Sequence, residues 1–126
     1  MRALYLMPLL VAAPLAAPAQ PAPRTVEVRL TSFDFTPSEI RLAAGQPVVL
    51  RLTNPGSGGH NFSAPQFFAA SQIAAGQNVA IRNGTIEVPS HQTVTLRLTP
   101  ARGDYRLRCT HTLHSSFGMR GHIVVG

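Results

Sequence analysis

The sequence lacks an apolar run long enough to span a bilayer, since a membrane-spanning helix needs about 20 apolar residues. The longest such stretch, Ala3–Leu15, is shorter and is interrupted by prolines. It follows Arg2 and precedes the small triplet Ala17-Pro18-Ala19, which is the pattern of a removable secretory signal cleaved after Ala19. An uncleaved lipid-facing anchor is the alternative. The predicted division of the chain is a signal peptide over 1–19, a short leader over 20–24 and one domain over 25–126.

The sequence has a single cysteine, Cys109, and this scarcity excludes an intramolecular disulfide. A free thiol in an exported, periplasmic protein needs a reason to survive oxidation. Metal ligation would be such a reason. An inert buried thiol or an intermolecular disulfide would also account for one cysteine, but neither explains the histidines and the methionine that follow it.

The sequence also lacks lysine: all eleven basic residues are arginine, and only five acidic residues offset them. The net charge of +6 favours partners with an acidic docking surface. Nucleic acid is not expected as a partner, because the arginines are scattered along alternating strands and no aromatic stacking motif accompanies them. We expect a monomer without a stable membrane span in the mature protein.

Period-2 alternation of apolar and polar residues predicts most of the domain to be β-strand. Gly, Pro and Asn bound these short stretches, so the sequence predicts an all-β fold, an antiparallel Greek-key β-sandwich. In the strand that leads to the cysteine, Tyr105, Leu107 and Cys109 fall on the inward face, and Arg106 and Arg108 on the outward face. The other predicted strands are 25–30, 40–42, 47–53, 60–62, 93–99 and 120–125.

Two segments depart from the plain strand pattern. Pro65–Ala75 predicts a short helix, because Pro65 suits a first helical turn, Phe67, Phe68 and Ile73 recur at helical spacing, and Gly76 would end it. Further along, the dipeptide Asn83-Gly84 favours a tight hairpin turn. We therefore predict two short strands, Val79–Arg82 and Thr85–Val88, on either side of that turn.

The densest group of metal-binding side chains lies between Cys109 and Met119. His114 follows the cysteine by five residues and Met119 follows it by ten, so the three can converge if the loop folds back. Thiolate and thioether suit Cu(I), and imidazole suits both oxidation states of copper, so we predict one Cu(I)/Cu(II) ion. A fourth ligand must come from elsewhere. His60 is the best candidate, because it follows a glycine-rich loop, and Asn61 beside it could brace the ligand loop.

Several short motifs occur together across the domain. They are the early phenylalanines Phe33 and Phe35 before Pro37-Ser38-Glu39-Ile40, then Ala44-Gly45, His60-Asn61-Phe62, Gly103-Asp104-Tyr105, and the run from Cys109 to Met119 with Arg120-Gly121. Over essentially the whole domain the sequence resembles the cupredoxins of the plastocyanin, azurin and auracyanin type. The resemblance implies a type 1 (blue) copper site held by His60, Cys109, His114 and Met119, in a protein that carries one electron between redox partners.

One departure from the family concerns the ligand loop. Many relatives with this spacing have a Pro-Gly pair before the second histidine, where this chain has Thr112-Leu113. An additional imidazole, His111, stands two residues after the cysteine. It is either hydrogen-bonded or exposed in the loop, or an extra ligand that would make the site more tetragonal. His91 and His122 are expected to be solvent histidines.

The same residues permit a second function, because ligand identity constrains the metal better than the task. The alternative to electron transfer is copper trafficking, buffering or delivery, with His111 as an extra or hand-off ligand. An enzyme is not expected. Multicopper oxidases have histidines flanking the cysteine, where this chain has Arg108 and Thr110, a binuclear copper centre would need a second cysteine, and no nucleophile-elbow motif is present. A purely structural sandwich would leave the ligand set unexplained.

Overall fold

The computed structural model describes residues 1–16, 22–111 and 118–126. Residues 1–16 form no helix or strand and are exposed. The predicted cleavage site after Ala19 lies outside the described residues. The elements are β1 (Arg24–Thr31), β2 (Asp34–Thr36), β3 (Glu39–Leu42), β4 (Val48–Thr53), β5 (His60–Ser63), α1 (Pro65–Ala70), β6 (Gln72–Ile73), β7 (Thr85–Val88), β8 (Thr93–Thr99), β9 (Gly103–Arg108) and β10 (Arg120–Val125).

The strands form two five-stranded sheets. The first sheet has the order β2-β1-β4-β8-β6 and the second has the order β3-β10-β9-β5-β7. Most neighbouring strands are antiparallel, but each sheet contains one parallel pair, β1 with β4 and β10 with β3. The predicted all-β sandwich with one short helical segment is confirmed, and its sheets are mixed rather than wholly antiparallel.

Alternation along the strands builds the core between the sheets. In β1 the buried positions are Val26, Val28 and Leu30, and the residues between them are exposed. The same alternation in β4 and β8 places leucines inward and Arg51 and Arg97 outward. Burying such side chains is the main favourable term in folding, about 1.5–3 kcal/mol for each large aliphatic residue. Strand parity therefore decides which side chains reach the interior.

The helical segment is shorter than the sequence predicts. Helix α1 ends at Ala70, because Ser71 has an extended backbone and its hydroxyl donates a hydrogen bond to the Phe67 carbonyl over 2.7 Å. Phe67 and Phe68 are buried, as helical spacing predicts. Ile73 is not part of the helix: it lies in the edge strand β6, opposite Leu98 of β8. Pairing with β8 overrides the local helical spacing in this stretch.

The predicted hairpin is confirmed at its turn and only in part beyond it. Asn83 and Gly84 both have positive φ, 51° and 69°, as a tight primed turn requires. Thr85–Val88 is a strand, but 79–82 is not one: only Arg82 pairs with Thr85, through two backbone hydrogen bonds of 3.0 Å. Strand β7 instead pairs along its whole length with β5, and this pairing is longer than the single bridge to Arg82.

Within the described parts of the chain, no helix combines the length and the apolar character needed to cross a bilayer.

Candidate metal centre

The cysteine directly follows the last residue of β9 and points into the sandwich. Leu107 and Cys109 are buried, with Cys109 at 0% exposure, whereas Arg106 and Arg108 are exposed. This matches the inward parity predicted for the thiol. Its backbone N–H donates a hydrogen bond to the Met119 carbonyl over 3.1 Å, so the chain segment between these residues starts and ends at fixed positions.

Met119 stands directly opposite the cysteine. Arg120 pairs with Arg108 in the antiparallel register of β10 and β9, so the preceding residue Met119 continues that register opposite Cys109. Residues directly opposite in an antiparallel pair point to the same face of the sheet. Met119 is 0% exposed, which places its thioether on the buried face that the thiol also occupies.

His60 comes to the same face from the adjacent strand. Strand β5 neighbours β9, with Ser63 paired with Arg108, and continuing this register sets Phe62 opposite Cys109. His60 shares the parity of the buried Phe62 and is itself 5% exposed. Three of the four predicted ligands thus lie at one end of the second sheet and on its inner face: His60 begins β5, Cys109 directly follows β9, and Met119 directly precedes β10.

The donor set fits copper. A thiol, a thioether and an imidazole, all buried, form the soft and borderline combination that copper prefers over hard cations. His114, the fourth predicted ligand, lies outside the described residues. Within the ranges that the structure describes, no three side chains of His, Cys, Asp or Glu form a metal-binding group. His60 and Cys109 are the two predicted ligands of those types there, because Met119 is a thioether.

Asn61 braces the segment that follows the cysteine, as its place beside His60 predicts. Its amide Nδ2 donates to Thr110 Oγ1 over 2.7 Å, and its Oδ1 accepts a hydrogen bond from the Thr110 N–H over 2.8 Å. Asn61 is itself buried, and a third hydrogen bond of 2.8 Å joins Nδ2 to Glu87 Oε1. The residue after His60 therefore fixes the residue after Cys109.

His111 is held by an acid that sequence reasoning missed. Its Nε2 lies 2.8 Å from Glu87 Oε2, and its side chain is 34% exposed. Glu87 thus uses one carboxylate oxygen for Asn61 and the other for His111. No spacing rule joins these residues, because they meet only through the pairing of β5 with both β7 and β9. A metal-bound imidazole commonly hydrogen-bonds a carboxylate through its other ring nitrogen, so this contact fits both the hydrogen-bonded role of His111 and the role of an extra ligand.

The carboxyl group of Glu87 has a perturbed acidity. Partial burial raises its pKa, but the hydrogen bonds from Asn61 and His111 and the charge of His111 lower it by more. The net result is a pKa below the ordinary value of 4.5. Glu87 is therefore ionised at neutral pH, and a carboxylate is the form that accepts both hydrogen bonds.

The glycine-rich loop before His60 is also anchored from inside. Asn54, which is buried, donates from Nδ2 to the carbonyls of Gly58 and Val88 over 2.7 and 3.0 Å, and its Oδ1 accepts from the Gly56 N–H. The sequence signal for this anchor is an Asn before Pro-Gly, a common turn pattern. It fixes the approach of the chain to His60.

The remaining histidines, His91 and His122, lie at the surface. His91 is exposed in the turn before β8, and His122 is exposed on the outer face of β10. His122 Nδ1 lies 3.4 Å from Asp104 Oδ1, at the surface. Both are surface histidines, as predicted.

Residues 2–125 match the family model described as the Cupredoxin-like domain. The chain belongs to this family. The resemblance inferred from the sequence motifs is confirmed by this match, and so is the cupredoxin-like fold. No curated protein sequence matches the chain significantly.

Solved structures show the same fold. Auracyanin B superposes with a TM-score of 0.60 at 23% identity, covering 86% of this chain and 93% of its own. Auracyanin A from Chloroflexus aurantiacus, described as a "blue" copper protein, gives 0.60 at 22% identity, covering 83% of this chain and 100% of its own. The multicopper oxidase McoA from Aquifex aeolicus gives 0.64 at 15% identity, covering 87% of this chain but 31% of the oxidase. At these identities the similarity establishes the fold alone.

Proposed function

We propose that this cupredoxin-like protein is an exported blue copper protein that carries single electrons between redox partners and has no catalytic activity of its own. The proposed ligands are His60, Cys109, His114 and Met119. The observation that supports this most strongly is that a buried thiol, thioether and imidazole share the inner face at one end of three neighbouring strands. Copper bound there would supply a one-electron couple between Cu(I) and Cu(II).

The protein groups around this site favour electron transfer because they are ordered by the fold itself. Asn61 holds Thr110, the neighbour of Cys109, through two hydrogen bonds, and the Cys109 N–H holds the Met119 carbonyl. Donors fixed by hydrogen-bonded strands need little rearrangement when the charge of a bound ion changes. Burial of Cys109 also keeps water away from the thiol.

The alternative function is copper trafficking, buffering or delivery at the same site, with His111 as an extra or hand-off ligand. His111 Nε2 lies 2.8 Å from Glu87 Oε2. A metal-bound imidazole commonly hydrogen-bonds a carboxylate through its other ring nitrogen, so this contact fits both functions, and kinetics must separate them.

The ligand assignment is tested by the visible spectrum of the copper-loaded protein. We expect an intense thiolate-to-copper band that Cys109→Ala abolishes and that the control His91→Ala, an exposed histidine in the turn before β8, leaves unchanged. If the loaded wild-type protein shows no such band, the blue-copper assignment is wrong. If His91→Ala removes it, copper is bound elsewhere.

A separate experiment distinguishes electron transfer from copper delivery, because both functions use the same bound metal. Fast electron self-exchange with a reversible potential supports the carrier, whereas slow redox cycling with ready copper transfer to an apo-acceptor supports delivery. Export is tested by the mass of the protein recovered from the periplasm. We expect a monomer that begins at Gln20, and retention of residues 1–19 would contradict a cleaved signal peptide.

A further inference from the structure

The outer face of β9 and β10 carries a cluster of basic side chains. Arg106 and Arg108 project outward from β9, and Arg120 and His122 project outward from β10, all of them exposed. The register sets Arg120 directly opposite Arg108 and His122 directly opposite Arg106. Two consecutive cross-strand pairs therefore consist of basic residues.

This arrangement works against the stability of the sheet. Side chains directly opposite each other in an antiparallel pair are about 5 Å apart at Cβ, and like charges there are destabilising. Asp104 lies 3.4 Å from His122 and offsets part of the charge at one end. Within the described part of the chain, neither Arg106 nor Arg108 forms an ion pair. A local cost of this kind is expected where a surface is used for binding.

The cluster lines a groove rather than a flat surface. A cavity of about 590 Å³ lies along the four basic side chains and is bounded on the other side by Ser63 and by Pro65 and Gln66 at the start of α1. Helix α1 follows directly after β5, so it forms a wall beside β9 where β5 has ended. The basic side chains therefore line one side of a concave cavity that opens beside the two strands.

The spacing of the two arginines on β9 determines which ligand shape fits the groove. Alternate residues on a strand are about 6.6–6.8 Å apart, and so are alternate residues of any extended peptide. Arg106 and Arg108 have this spacing, and each guanidinium can bind a carboxylate through two parallel hydrogen bonds. An extended segment with acidic residues at alternate positions thus matches the groove along its length. A planar lipid surface would not follow a concave channel.

We propose that this basic groove, formed by Arg106, Arg108, Arg120 and His122, binds an extended acidic segment of a partner protein with Asp or Glu at alternate positions. The interaction itself does not depend on a metal, so it stands apart from the proposed function. If that function holds, the docked segment lies across the sheet from the site, because Arg108 and Arg120 are the chain neighbours of Cys109 and Met119.

The test uses the metal-free full chain and a labelled ten-residue peptide that alternates Glu and Thr. A second peptide has the same composition with all Glu residues in one block. By fluorescence anisotropy at low salt we expect the alternating peptide to bind more tightly than the block peptide. Arg106→Gln with Arg108→Gln should weaken its binding by about tenfold, the scale expected for losing two exposed charge-assisted contacts.

A matched double variant removes the same charge from the first sheet. Arg51→Gln with Arg97→Gln changes two exposed arginines on β4 and β8 and should weaken binding far less. Thermal unfolding gives an independent readout: the groove variant should be at least as stable as wild type, because it relieves the repulsion between β9 and β10. Retained stability shows that weaker binding is not caused by misfolding.

Four results would overturn the proposal. Equal loss of affinity in both double variants would mean that only the net charge matters, and equal binding of the two peptides would mean that spacing plays no part. Full competition by millimolar inorganic phosphate would assign the groove to small anions. Vesicles of phosphatidylglycerol that lose binding in the groove variant, while the peptide does not, would assign it to an anionic membrane.

Discussion

The two sheets have the same number of strands and one parallel pair each, yet their inner faces differ in chemistry. The inner face of the first sheet is built from aliphatic residues and one phenylalanine, such as Val28, Leu52 and Phe35. The second sheet has the same kind of core over most of its length, but at one end it presents His60, Cys109 and Met119. The comparison shows that one alternation of buried and exposed residues can build either a scaffold or a donor set, depending on a few positions near strand ends.

The largest effect is expected from a substitution in the core of the first sheet, which should change stability but not the copper site. Leu52→Ala removes a fully buried side chain from β4 and should destabilise the protein by about 2–5 kcal/mol, the usual cost of such a cavity. Urea unfolding measures this loss. The copper–thiolate band of the folded fraction should stay unchanged, and a shifted band would mean that the first sheet also shapes the site.

Two glycine substitutions test how tightly Pro65 packs against the turn that precedes β7. Gly84 has φ +69°, and an added Cβ would clash with the Pro65 Cα. Gly45, in the turn between β3 and β4, has φ +73° and nothing within 4 Å of an added Cβ. We expect Gly84→Ala to cost about 3 kcal/mol and Gly45→Ala about 1 kcal/mol, since the second change adds strain without a clash. Equal midpoints in urea would contradict the packing of Pro65 against this turn.

The brace at the donor end is tested by Asn61→Ala. This change removes three hydrogen bonds, and it should cost about 1–3 kcal/mol because the Thr110 N–H and the Glu87 carboxylate lose a partner. It should also alter the copper–thiolate band, since Thr110 follows Cys109. Ser63→Ala on the same strand loses one hydroxyl contact, to Thr85, and should leave the band unchanged. A band insensitive to Asn61→Ala would show that the brace does not reach the thiol.

The smallest expected effect is the pH dependence contributed by Glu87. Its pKa is lower in the folded than in the unfolded protein, so its carboxylate stabilises the fold above the ordinary value of 4.5. That contribution is lost as the pH falls through the folded pKa. Glu87 is 62% exposed, so we expect less than about 1 kcal/mol. The stability difference between wild type and Glu87→Gln should be present at pH 6 and vanish at low pH; a difference that persists there would contradict this origin.

The sequence predicts what depends on local alternation. The strand bounds 93–99 and 120–125 agree with β8 and β10, and the inward parity of Cys109 and the position of His60 at the start of β5 follow from the same pattern. Asn83-Gly84 identifies its turn because few residues other than Gly and Asn adopt positive φ readily. These predictions succeed because each depends on neighbours in the chain.

What the sequence could not predict depends on pairing between distant segments. Helical spacing over 65–75 gives no sign that Ile73 will pair with Leu98, and alternation does not reveal that β1 pairs in parallel with β4. The role of Glu87 was missed for the same reason, because it faces Asn61 only once β7 lies beside β5. His114 was predicted from spacing and resemblance, and its role as a ligand stays a prediction.

The position of β10 in the second sheet determines when the strands of that sheet can pair during folding. This strand lies between β3 and β9, yet it follows all the other described strands in the chain. Until residues 120–125 are synthesised, β3 has no neighbour in its sheet and nothing closes the backbone against Cys109. Non-local pairings of this kind form late, after the chain that separates them has been closed into a loop. The three described residues that we propose as ligands, His60, Cys109 and Met119, therefore share one buried face only after β10 has paired.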